Sequence, residues 1–93
     1  MKVTIWKGGT YGIRISSADM HYFVKDWKDV EIEAHGEITV YPLRPTFWTT
    51  CPEFRGGAIA EWIKTQGLTS WASGNPPTVQ LTSLGGKRFR LGH

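Results

Sequence analysis

The chain has a single cysteine, Cys51, among 93 residues. One thiol makes no internal disulfide and no cysteine metal cluster, so a cytoplasmic protein with a reduced thiol is expected. The opening "MKVTIWKGG" lacks the apolar run of a signal peptide. No stretch approaches the length of a transmembrane helix, so no membrane partner is expected. Low-complexity tracts, linkers and repeats of about 20 residues or more are also missing. His21, His35 and His93 are scattered without ligand spacing such as H-E-x-x-H, so no metal or cofactor is expected. A nucleophile signature is lacking as well, and no residue is assigned a catalytic role. Glu31 and Glu33 are two apart on one predicted strand and could do acid–base work, but a solvated strand face is the commoner explanation.

Aromatics, by contrast, are plentiful at 13%, and Trp6, Trp27, Trp48, Trp62 and Trp71 are five of them. Burying a tryptophan removes a large area from water, so the excess is expected to build the core of one small domain over residues 1–93. The formal net charge is +3, and it is sorted along the chain. Residues 1–18 carry Lys2, Lys7 and Arg14 and no acid. Residues 19–37 carry six acids against two lysines, and the remainder carries six bases against two acids.

Period-two alternation occurs in three pairs, which is the signal for hairpins. They are Val3/Ile5 with Tyr11/Ile13/Ile15, Val30/Ile32 with Ile38/Val40, and Val79/Leu81 with Phe89/Leu91. Directly paired residues share a face. A three-residue loop at Ala34-His35-Gly36 pairs Ile32 with Ile38 and Val30 with Val40, whereas a two-residue loop would set Glu33 against Ile38. The same rule selects Lys7-Gly8-Gly9, pairing Ile5 with Tyr11, and Leu84-Gly85-Gly86, pairing Leu81 with Phe89. Gly9, Gly36 and Gly86 then need φ > 0. Two helices complete the prediction. "SADMHYFVKDW", Ser17 to Trp27, puts Met20, Phe23, Val24 and Trp27 on one face with Ser17 as N-cap. The second helix runs from about Cys51 to Gln66, with Gly67 as its stop. The fold class expected is α+β, in the order ββ-α-ββ-α-ββ. Its six strands form a strongly bent sheet or small open barrel with the helices packed on it.

Within "FWTTCPEFRGG", Phe47 to Gly57, Thr50-Cys51-Pro52-Glu53 has the form of a capping box. Cys51 has two readings. The first turn of a helix beside Arg55 would favour a thiolate. A stripe shared with Phe54, Ala58 and Trp62 would bury it, and burial is favoured because free cysteine is so often buried. Gly56-Gly57 follows the predicted helix start and lacks the G-K-[ST] ending, which argues against a phosphate loop.

Outward residues carry the functional clues. The first hairpin shows Lys2, Thr4, Trp6 and Arg14. The third shows Gln80, Thr82, Arg88 and Arg90. The second shows Asp29, Glu31, Glu33, Glu37, Thr39 and Tyr41. Lysine and arginine with threonine and glutamine contact phosphates, and an exposed aromatic stacks on bases. Nucleic acid bound through Lys2, Trp6, Arg14, Arg88 and Arg90 is therefore the first candidate for a non-catalytic binding domain. An equally simple account makes these charges solubilising and puts Trp6 under a helix. Two other roles stay open: a protein-interaction or homo-oligomer module joining acidic and basic faces, and small-ligand binding at a pocket of Trp48, Cys51 and Trp71.

Residues 10–43, with "TYGIRIS", a short helix and "VEIEAHGEITVY", resemble the AbrB-like and B3-like β-barrel DNA-binding families. The resemblance implies a small barrel, in some members a swapped dimer, that binds DNA. Ser16-Ser17 stands where AbrB-like sequences usually have proline, and the acidic outward face of the second hairpin departs from a DNA-binding surface. No site residue carries over.

Overall fold

The computed structural model describes residues 1–93. The chain forms a mixed α+β domain with seven strands, two 3-10 turns and one α-helix. The strands are β1 (Lys2–Gly8), β2 (Thr10–Arg14), β3 (Asp29–Ala34), β4 (Glu37–Pro42), β5 (Glu53–Arg55), β6 (Thr78–Ser83) and β7 (Arg88–Gly92). The helix α1 spans Gly57–Thr65. One sheet holds all strands in the order β4-β3-β7-β6-β1-β2-β5, curled into a nearly closed barrel whose end strands are β4 and β5. All neighbours pair antiparallel except β3 and β7, which are parallel. No helix is long and apolar enough to cross a membrane.

The three predicted hairpins form, and each has a different register from the one derived. In the first, Ile5 faces Ile13 and Gly8 faces Thr10. In the third, Leu81 faces Leu91 and Thr82 faces Arg90. Both are shifted by two residues, which preserves the faces. Gly9, Gly36 and Gly86 do take positive φ, at 81°, 74° and 54°.

The second hairpin corrects the derivation outright. Its loop is the two residues His35-Gly36, with Ala34 facing Glu37, Glu33 facing Ile38 and Glu31 facing Val40. His35 is the one non-glycine residue with positive φ, 54°, so both loop residues are left-handed. That is the type I′ geometry, whose twist matches the flanking strands. The odd-numbered residues of β4 therefore turn inward. Tyr41 is buried and Thr39 half-buried, while Ile38 and Val40 remain 49% and 58% exposed.

The helices are shorter than predicted. Ser17–Tyr22 is a 3-10 turn capped by Ser16, whose Oγ accepts from the Ala18 amide. The chain leaves it at Phe23, which is buried, and Val24 is 46% exposed. The predicted helix at Cys51 starts instead at Gly57, and no Thr50–Glu53 capping box forms. Residues 53–55 are strand β5, with Phe54 buried between outward Glu53 and Arg55. This single inward phenylalanine stacks on Phe47 at 5.0 Å and lies 5.6 Å from Tyr41. The strand satisfies the same apolar residue that the helical stripe would have buried, and Gly56 at φ 76° breaks the chain before α1.

The core fills the barrel. Ile59 and Ile63 of α1 are fully buried beside Ile5, Ile13, Ile32, Leu81 and Phe89. Phe23 packs centrally, 5.0 Å from Phe89 and 5.2 Å from Phe47. Trp62 is the buried tryptophan, while Trp27, Trp48 and Trp71 only lean on this cluster.

Candidate functional site

Trp6 lies on the outer face of β1, opposite Gly12 of β2, which in turn faces Arg55 of β5. Gly12 is a requirement of close strand approach: a Cβ there would sit 2.4 Å from the Phe54 carbonyl oxygen. Gly8 meets a second steric demand. The Trp6 indole folds along its own strand over this residue, and a Cβ there would lie 1.9 Å from Cζ3 of the ring. No helix covers Trp6. Its partial burial comes from the sheet below and from two guanidinium groups, those of Arg14 and Arg55, each 5.8 Å from the ring centroid. Cation–π attraction of this kind holds a guanidinium near an indole without consuming its hydrogen bonds. The indole N–H is buried and has no hydrogen-bond partner.

Beside this cluster opens a cleft of about 640 Å³. Arg14, Arg44, Arg55, Glu53, Cys51 and Trp6 lie along it, and Tyr41, Phe47 and Phe54 contribute to its walls. It occupies the gap between the ends of β4 and β5. Arg14 pairs with Glu53 through Nη2 and through Nε at 2.8 Å. Arg55 donates to the Gly8 carbonyl at 3.0 Å. Arg44, between Pro42 and Pro45, makes no ion pair. The cleft thus sets three arginines against one carboxylate. Cys51 is exposed, which corrects the expectation of burial. It belongs to the turn that follows the 3-10 turn Pro45–Trp48, not to a helical stripe, and its amide is held by the Thr46 carbonyl at 2.8 Å.

The structure sorts the residues singled out in the sequence. Trp6 and Arg14 meet in the cleft. Lys2 is exposed on the same face of β1, where it is paired with Gln80 of β6 and lies outside the cleft. Arg88 and Arg90 are on β7, separated from β1 by β6. Neither presents a free charge. Arg88 donates to Glu31 at 2.6 and 3.0 Å, Arg90 to Glu33 at 3.3 Å, and Lys87 to Asp29 at 2.6 Å. The parallel pairing of β3 with β7 stacks these three pairs in a ladder. The acidic and basic faces therefore meet inside one chain. Asp29 and Glu31 also hold the Lys87 ammonium above its usual range, the hydrogen bond to Asp29 being the main cause.

The Trp48/Cys51/Trp71 pocket does not form as a unit. Cys51 opens on the large cleft, Trp48 lines a separate hollow of about 370 Å³ with Lys25, Leu43 and Pro45, and Trp71 borders neither. Arg44 carries no signal in the sequence, and Arg55 is expected only beside Cys51 on a helix. Arg55 was absorbed into a predicted helix, and Arg44 stood alone in a loop. The one available signal was the alternation Glu53-Phe54-Arg55, too short to outweigh a helical pattern. The chain matches no protein-family model, no curated protein and no solved structure.

Proposed function

We propose that the domain binds nucleic acid, with the phosphates on Arg14, Arg44 and Arg55 and a base stacked on Trp6. The observation that carries this reading is an outward tryptophan with two guanidinium groups against its ring and a third arginine, Arg44, along the same cleft. Arginine offers planar, forked donors that match phosphate oxygens. An aromatic platform accepts any base, because every base has a π-face. An incoming base replaces a guanidinium on the ring and frees that guanidinium for a phosphate. The proposal moves the site away from β7, because Arg88 and Arg90 are paired with Glu31 and Glu33 with no aromatic ring beside them, whereas Arg14, although paired with Glu53, lies over the Trp6 indole. A nucleic-acid ligand and a single exposed cysteine, Cys51, both suit a cytoplasmic setting.

The test is a salt titration of binding to labelled single-stranded DNA and RNA, with duplex as comparison. Three phosphate contacts give a slope of log affinity against log salt of about −2 on single strands. Arg44→Glu with Arg55→Glu should abolish binding, while Arg88→Gln with Arg90→Gln should leave it. Failure to bind any DNA or RNA at low salt would sink the proposal, as would binding that survives the Arg44/Arg55 reversal.

A further inference from the structure

Strand β4 ends the sheet, and no other strand flanks it. The Leu43 amide donates to the Lys28 carbonyl at 2.9 Å, continuing the β3–β4 ladder. Antiparallel bonding alternates, so Tyr41, Thr39 and Glu37 direct their backbone groups to β3. The N–H and C=O groups of Ile38 and Val40 then point to the open edge. The side chains of the same two residues are 49% and 58% exposed on the outer face. An edge strand with free amides and apolar side chains is a template for pairing. It has no inward-pointing lysine and no bulge to blunt it. Pro42, which lacks an N–H, closes the edge just where the cleft begins.

From this geometry we infer that β4 pairs with β4 of a second copy of the chain, antiparallel across a two-fold axis at Thr39. In that register Ile38 faces Val40 of the second copy, and Val40 faces its Ile38. All four N–H and C=O groups of the two residues then find partners, and the two apolar side chains cover their equivalents. This is the self-complementarity that a two-fold interface requires. The inference stands apart from the nucleic-acid reading, because Ile38 and Val40 do not line the cleft.

Sedimentation equilibrium over a concentration series up to about millimolar tests it, since pairing through one strand edge is a weak association. A monomer–dimer equilibrium is expected. Ile38→Lys with Val40→Lys should give a monomer with an unchanged circular dichroism spectrum, because both side chains are exposed. In the dimer, hydrogen exchange should slow at the Ile38 and Val40 amides as concentration rises. A monomer at every concentration, an assembly larger than a dimer, or a dimer that survives the double lysine substitution would overturn the inference. A dimer in which the Ile38 and Val40 amides exchange as fast as in the monomer would overturn the register.

Discussion

The Tyr41 hydroxyl donates to the Gly56 carbonyl at 2.7 Å and accepts from the Ile59 amide at 3.3 Å. One residue before the proline that ends β4 thus caps the only α-helix. Thr39 does the same one turn of the pleat earlier, where its Oγ1 accepts from the Ala58 amide at 3.0 Å. A helix leaves its first amides without partners, and Gly56 at the N-cap of α1 has no side chain to supply one. The strand supplies it instead. This arrangement exists only because the His35-Gly36 loop turns Thr39 and Tyr41 inward, and its consequence is the exposure of Ile38 and Val40.

Tyr41→Phe should lower stability by about 1–2 kcal/mol, because a buried carbonyl and amide lose their shared partner. The effect should also depend on pH. Burial holds the Tyr41 hydroxyl above its usual 10.0, partly offset by hydrogen bonds from the Ile59 amide and Thr39. The unfolded chain then loses this proton before the folded one does. Stability linked to Tyr41 is complete below pH 10 and falls as pH rises through the folded value. Thermal melts of the protein and of Tyr41→Phe from pH 8 to 11 should therefore differ most at pH 8 and converge at the alkaline end. A gap that is constant with pH would contradict this account.

How much of this was legible in the sequence follows from which residues carry the signal. Val3, Ile5, Ile13, Ile15, Leu81, Phe89 and Leu91 sit on the buried face read from their alternation. A shift by two preserves every face, so the first and third hairpins survive a wrong register. In the second hairpin, Ile38-Thr39-Val40-Tyr41 offers apolar residues at both parities, one of them an aromatic with a polar end. Alternation alone chose the aliphatic pair. What decides otherwise is a helix cap between residues 15 to 19 positions apart, which no local pattern displays. The cleft was half legible for the same reason: Trp6 and Arg14 alternate on predicted strands, whereas Arg44 and Arg55 are brought in by a proline-bounded loop and a three-residue strand.

Gly57 is a sharper test of the β4–α1 junction. Its φ is 56°, and a Cβ would meet Thr39 Cγ2 at 2.8 Å and the Tyr41 hydroxyl at 3.0 Å. Gly57→Ala should destabilise by roughly 2 kcal/mol, combining a left-handed backbone with a steric clash. Gly67→Ala has a similar φ of 71° but open space around it. Chemical denaturation of both variants should show the larger loss at Gly57. Equal losses would mean that the junction relaxes freely.

The ladder between β3 and β7 gives opposite expectations for reversing the charges on one strand and reversing them on both. Arg88→Glu with Arg90→Glu would place four carboxylates side by side with Glu31 and Glu33. Like charges directly opposite on neighbouring strands destabilise, by about 1–2 kcal/mol here because the groups are partly exposed. Adding Glu31→Arg and Glu33→Arg should recover most of the loss. The comparison is made at low salt, where screening is weakest. If the quadruple variant stays as unstable as the double one, the pairs do not act through charge.

Gly8→Ala probes the cleft without touching a charge. The added methyl takes the space of the Trp6 ring, so the indole must leave its position beside Arg14 and Arg55. Nucleic-acid affinity should fall by about tenfold, the weight of one stacked base, while the salt slope, set by the arginines, should hardly change. An unchanged affinity would separate Trp6 from binding.

Cys51 offers the last handle, because it is exposed at the edge of the same cleft. A small thiol reagent should label the folded protein at a rate close to that of the denatured chain. Slow labelling that speeds up on unfolding would show that the thiol is covered. The adduct then becomes a probe of function. A bulky, anionic label on Cys51 narrows the cleft and opposes a phosphate near Arg14, Arg44 and Arg55, so it should reduce nucleic-acid binding strongly. A small neutral carbamidomethyl group should reduce it little. Nucleic acid bound beforehand should in turn slow the reaction with the bulky label. If the labelled protein binds as before and the ligand gives no protection, the strand lies elsewhere on the barrel and the cleft is not the site.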